Sequence, residues 1–151
     1  MSTQLRRHSD LLPRLNEDKV GAEAINVALG NCDVMAFVAT TQPARARAFY
    51  CDVLGLRFEE ENPFAVVVKA ANALVRIEKV PAFTPLPFTV LGWVVEDVEV
   101  TARELQIRGV KFERFEGISQ DALGIWDSPS GARVCWFKDP DGNILSVTQF
   151  G

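Results

Sequence analysis

The chain has 151 residues, 48% of them hydrophobic, and a formal net charge of −4. That length and apolar share suit one soluble core-bearing domain, and the acidic balance offers no basic field for a phosphate backbone, so nucleic-acid binding is not expected. No apolar run approaches the roughly 20 residues that cross a bilayer and the start lacks the apolar stretch of a signal peptide, so no membrane attachment and a cytoplasmic setting are the expectations.

Residues 1–31 read as an extension. Arg6, Arg7, His8 and Asp10 make a polar start, and Asn16 to Leu29 carries a loose helical pattern through Val20, Ala24, Ile25, Val27 and Ala28. The domain proper is expected over residues 32–151. Val34 to Thr40 reads as a strand, and Pro43 to Leu54 as a helix, with proline in its first turn and Gly55 just past its end. Leu56 to Glu60, Ala65 to Lys69 and Ala73 to Val80 read as three strands, which completes a βαβββ unit over about 34–80.

The order then repeats after the proline-marked stretch Pro81 to Pro87. Phe88 to Val95 reads as a strand, Val98 to Arg108 as a helix stopped by Gly109, and Val110 to Phe115 as a strand. The segment from Ala132 to Gln149 reads as a hairpin around Asp139-Pro140-Asp141-Gly142-Asn143. There proline pre-sets φ, the aspartates bond nearby backbone, and Gly142 takes the positive φ of a tight reversal. This second unit spans about 88–149, so the chain holds an internal repeat.

The order and spacing of several motifs carry a resemblance across residues 34–149. They are Ala46-Arg47-Ala48-Phe49-Tyr50 with Leu54-Gly55-Leu56, Val95-Glu96-Asp97-Val98 ahead of a helix ending Arg108-Gly109-Val110, and the DPDGN hairpin. Together they resemble the vicinal oxygen chelate superfamily, which includes glyoxalase I, extradiol dioxygenases, fosfomycin-resistance enzymes and bleomycin-binding proteins. The resemblance implies an α+β fold in which two βαβββ modules curl mixed sheets around a cleft, and it implies a homodimer.

In metal-using relatives each module supplies two inward-facing ligands, from its first and last strands. By the family's spacing those positions fall here on Met35, Val90 (with Thr89 and Leu91 as the alternatives one residue away) and Ser146, and the local pattern of the fourth strand puts Arg76 at the remaining one. None is a usual ligand for a hard divalent ion, and an arginine would repel one. The expectation is therefore no metal and no cofactor. His8 is the sole histidine and stands in the extension, which disfavours Ser-His-Asp or Cys-His catalysis. Cys32, Cys51 and Cys135 form no CxxC pair and are expected to be buried free thiols rather than a disulfide or zinc set.

What such a cleft could hold is a small, partly apolar organic molecule. Arg76 and Glu78 alternate to one face of their strand, either meeting a ligand or pairing with each other. Phe37 shares a face with Met35, and Thr148 shares one with Ser146. Of the three tryptophans, Trp93 is expected to face the helices, whereas Trp136 suits core or cleft equally. The long insertion Glu116 to Gly131 offers Gln120, Asp121 and Trp126, and is either a binding loop or a passively packed segment. Phe49 and Tyr50 are expected to pack their helix onto the sheet.

The expected ligand contacts are thus Met35, Phe37, Arg76, Glu78, Val90, Gln120, Asp121, Trp126, Trp136, Ser146 and Thr148. The favoured function is metal-independent binding of an organic ligand, after the manner of the bleomycin-binding members. The rivals are a lyase, isomerase or oxygenase, with Glu78 or Asp121 as the candidate base if metal-free, and a partner-binding regulatory module.

Overall fold

A computed structural model describes residues 28–151. The chain divides into two units, Met1–Cys32 and Asp33–Gly151. Of the first, Leu29–Asn31 form one 3-10 turn; His8 and nearly all of the helix expected over 16–29 lie outside the described residues.

In the second unit, strand alternation sorts side chains onto two faces of each sheet. The first module comprises β1 (Val34–Thr40), α1 (Pro43–Arg47), β2 (Arg57–Glu61), β3 (Ala65–Ala70) and β4 (Ala73–Lys79). The second comprises β5 (Thr89–Val94), α2 (Val98–Ile107), β6 (Trp126–Asp127), β7 (Arg133–Lys138) and β8 (Ile144–Gln149). Two four-stranded sheets result, ordered β1-β4-β3-β2 and β5-β8-β7-β6. In each, the first strand runs parallel to the last and the remaining pairs are antiparallel. The repeat expected from the sequence is therefore a repeat of topology, and the α+β fold of two modules is observed.

One expected strand is replaced. Val110–Phe115 touches β7 through a single bridge, Phe112 to Phe137, and the edge of the sheet is completed farther on by β6. Gln120 explains the break. Its side-chain amide donates to the Glu113 and Gly124 carbonyls, and its oxygen accepts from Phe115 N–H at 2.8 Å, which satisfies groups that a continuous strand would have offered a neighbour.

The core lies between the sheets and the helices. Val66, Val68, Val75 and Ile77 from the first sheet join Cys135, Phe137, Leu145 and Val147 from the second, closed over by Ala46, Tyr50, Ala102 and Leu105. Each fully buried aliphatic chain contributes about 1.5–3 kcal/mol. The helix after β1 begins with Pro43 and widens over Ala48–Val53 into a π-type turn, where Leu54 N–H reaches the Phe49 carbonyl. Asp97 caps α2 through Val100 N–H, and Gln149 of β8 accepts from Val98 N–H, so the last strand also anchors that helix.

The DPDGN turn joins the modules. Asp139 accepts from Tyr50 Oη, Asn143 Nδ2 and the Asp141 and Asn143 amides. Asn143 also donates to the Ala39 carbonyl, and Asp141 accepts from Thr40 and Thr41. Gly142 holds φ at 89°, as the reversal requires.

Candidate ligand-binding face

The helices cover one face of each sheet and leave the other open. On the first sheet the open face carries Met35, Phe37, Val67, Arg76 and Glu78, since Phe37 pairs with Arg76, and Arg76 with Val67. Met35 is 48% exposed and Phe37 55%. Arg76 Nε stands 3.6 Å from Glu78 Oε1, so the two expected site charges share this face and pair with each other.

On the second sheet the open face follows two rows. Gly92, Ser146 and Trp136 lie side by side in register, and next to them Val94, Thr148, Val134 and Trp126 form another row. The indoles of Trp126 and Trp136 lie with centroids 6.0 Å apart at 31°, and Phe115 meets Trp136 edge-on at 5.4 Å. Three rings thus form one aromatic row, of which Trp136 lies in register with Ser146. Trp93 faces the other way, against the core, as its parity implies.

Val90 is displaced from its expected place. A bulge between Thr89 and Leu91 removes Val90 from the ladder, and Gly92 takes the position opposite Ser146. Val90 is partly buried and packs against the core. Gly92 leaves room there for the Ser146 side chain: a β-carbon would meet Ser146 Oγ at 2.5 Å, so the hydroxyl would have to turn away. The backbone of β5 and the Ser146 side chain therefore fill one another's room.

The insertion loop is a built platform. Asp121 Oδ1 accepts from the Leu123 and Ile125 amides, and Arg114 donates to the Gln120 and Ala122 carbonyls. With Gln120 committed as described, the polar groups of Gln120 and Asp121 serve the loop's own backbone and present Trp126 to the sheet. Sequence reasoning overlooked Phe115 as a member of the aromatic row, although its parity within Val110 to Phe115 was available as a signal.

The donor set does not fit a divalent ion. Met35, Arg76, Gly92 or Val90, and Ser146 occupy the positions concerned, and among the described residues no group of three or more His, Cys, Asp or Glu side chains could hold a metal.

The thiols divide three ways. Cys135 is buried, Cys51 partly buried and Cys32 exposed, so the expectation of three buried thiols holds only in part. Burial, with the Asp121 carboxylate adding to it, pushes the Cys135 thiol up to about 12.

Residues 32–147 match the family model described as Glyoxalase/Bleomycin resistance protein/Dioxygenase superfamily. The chain belongs to that superfamily. Solved structures agree on its fold. A superfamily member from Sphaerobacter thermophilus is 23% identical, with a TM-score of 0.61 over 78% of this chain and 95% of that one. Lactoylglutathione lyase from Agrobacterium tumefaciens is 16% identical, with a TM-score of 0.61 over 79% and 93%. TnmS3, an antibiotic-binding protein from a Streptomyces species, is 23% identical, with a TM-score of 0.60 over 78% and 93%. A comparison with curated proteins finds no match. Among the described residues no helix is long and apolar enough to cross a membrane. The glyoxalase-type fold is thus present.

Proposed function

We propose that this protein binds a small, partly aromatic organic molecule on the open face of its sheets without a metal. The carrying observation is the row of Phe115, Trp136 and Trp126, with Trp136 in register with Ser146. Flat rings stack on such a surface, and one hydroxyl and one paired arginine supply orientation. TnmS3, whose fold this chain shares, is an antibiotic-binding protein, which supports a binding role.

The exposed Met35, Phe37 and Val94, the last 70% accessible, support pairing of the open faces in a homodimer. A second copy would enclose the ligand. The setting we propose is cytoplasmic. The test is isothermal titration of 2-naphthoate and 9-anthroate in EDTA, with Trp136→Ala as comparison. Saturable binding lost in the variant supports the reading; turnover or binding that requires an added divalent ion favours the enzyme alternative.

A further inference from the structure

Two cavities share a wall of Leu54, Leu56 and Trp93. The larger, about 320 Å³, is also lined by Arg57 and Lys69. The smaller, about 210 Å³, runs under α2 and is lined by Leu105, Phe137 and Val147. Val94, from the open face, also borders the smaller one.

Their chemistries differ in a way that suggests one ligand. The inner part is apolar, and Trp93, from β5, lines both parts. The outer part gathers cations. Arg57 spends its Nε on Glu59 at 3.2 Å, while Lys69 has no ion-pair partner among the described residues. Arg108 adds a third positive charge: its Nη1 donates to the Val53 carbonyl at 3.2 Å and stands 3.6 Å from where a β-carbon on Gly55 would lie. Gly55 itself lines the larger cavity. Together the two volumes reach the range of small-molecule sites, roughly 300–1,000 Å³.

We propose that this double cavity binds a small amphipathic anion, its apolar body against Trp93, Leu105 and Phe137 and its carboxylate or sulfonate beside Arg57 and Lys69. Charge-assisted hydrogen bonds to a guanidinium or ammonium give the head group its selectivity, and the apolar wall takes the rest. Its lining shares no residue with the aromatic row of Phe115, Trp136 and Trp126, so the two readings can be tested separately.

The experiment is titration of the full chain with decanoate, decanol and decyltrimethylammonium, followed by calorimetry and by backbone amide shifts. Decanoate is expected to bind saturably, to outcompete the cation, and to move the amides of Gly55, Thr101 and Leu105. The double variant Arg57→Gln/Lys69→Gln, altered only at its surface, should weaken decanoate about tenfold or more while leaving decanol unchanged. Trp136→Ala should leave decanoate binding as it was. The proposal is overturned if decanoate does not saturate by millimolar concentration, if the cation binds as tightly, or if the moving amides are those of Ser146 and Thr148. Shift mapping on the unmodified chain decides the matter even if a variant fails to fold.

Discussion

Tyr50 Oη donates to Asp139 Oδ2 at 2.7 Å, and this bond ties the helical turn of the first module to the closing turn of the second. Both residues are buried. Burial and the adjacent carboxylate hold the phenol proton well above the ordinary tyrosine range, so the donor stays a donor at any working pH. Tyr50→Phe removes the donor and leaves a buried carboxylate one partner short. The expected cost is about 1.5–3 kcal/mol, read as a lower urea midpoint with an unchanged slope; a midpoint equal to wild type would show that the bond adds nothing.

Asp141 makes the same turn sensitive to acid. Burial raises its pKa, but hydrogen bonds from Thr40, Thr41 and Gln42 together outweigh that and hold it below the usual aspartate range. A depressed folded pKa means stability that is present above the unfolded value and lost as pH falls through the folded one. Wild type should therefore lose stability towards acid more steeply than Asp141→Asn, with the two curves converging below the folded pKa. Parallel curves from neutral to acid pH would contradict this.

Gly92 and Ser146 should behave as a coupled pair. Gly92→Ala places a methyl 2.5 Å from Ser146 Oγ and 3.4 Å from its carbonyl, an overpacking worth about 1–3 kcal/mol. In a Ser146→Gly background most of that cost should disappear. Thermal melts of the four proteins in the cycle measure the coupling, and additive costs would refute it.

Thiol labelling should separate the cysteines. Cys32 is exposed and should react at once with an aromatic disulfide reagent near pH 8, whereas Cys135 should react only on unfolding, because a thiol pushed up to about 12 holds almost no thiolate there. Cys51 should lag behind Cys32, since burial raises it despite the opposing charge of Arg47. Rapid modification of Cys135 in the native protein would count against the packing described.

Much of this fold was readable from pattern alone, because β1 and α2 begin where alternation, Pro43 and Asp97 say they should. Local turn chemistry at Gly142 was equally plain. What escaped depended on distant partners. A bulge moves Val90 out of register without any mark in its own residues, and Gln120 breaks a strand by bonding groups five to seven residues before it. The link from Tyr50 to Asp139 spans 89 positions, so helix packing was visible and its hydroxyl's partner was not. At the candidate face, parity grouped Met35 with Phe37 and Ser146 with Thr148, while the side taken by Trp136 and its contact with Trp126 needed the folded sheet and the loop's conformation.

The aromatic row should dominate recognition. Trp126→Ala and Trp136→Ala are each expected to weaken a fused-ring ligand by about 0.5–1.5 kcal/mol beyond lost area, with Trp93→Phe close to neutral for that ligand because Trp93 faces the core.

The most direct measurement is native mass spectrometry of the purified protein, followed by thermal shifts with 2-naphthoate in EDTA and then with added Ni, Mn, Zn or Fe. Metal-free protein stabilised by the organic ligand alone, with the effect lost in Trp136→Ala, is the result predicted. A stoichiometric divalent ion retained on purification, or stabilisation only when metal is supplied, would contradict the account.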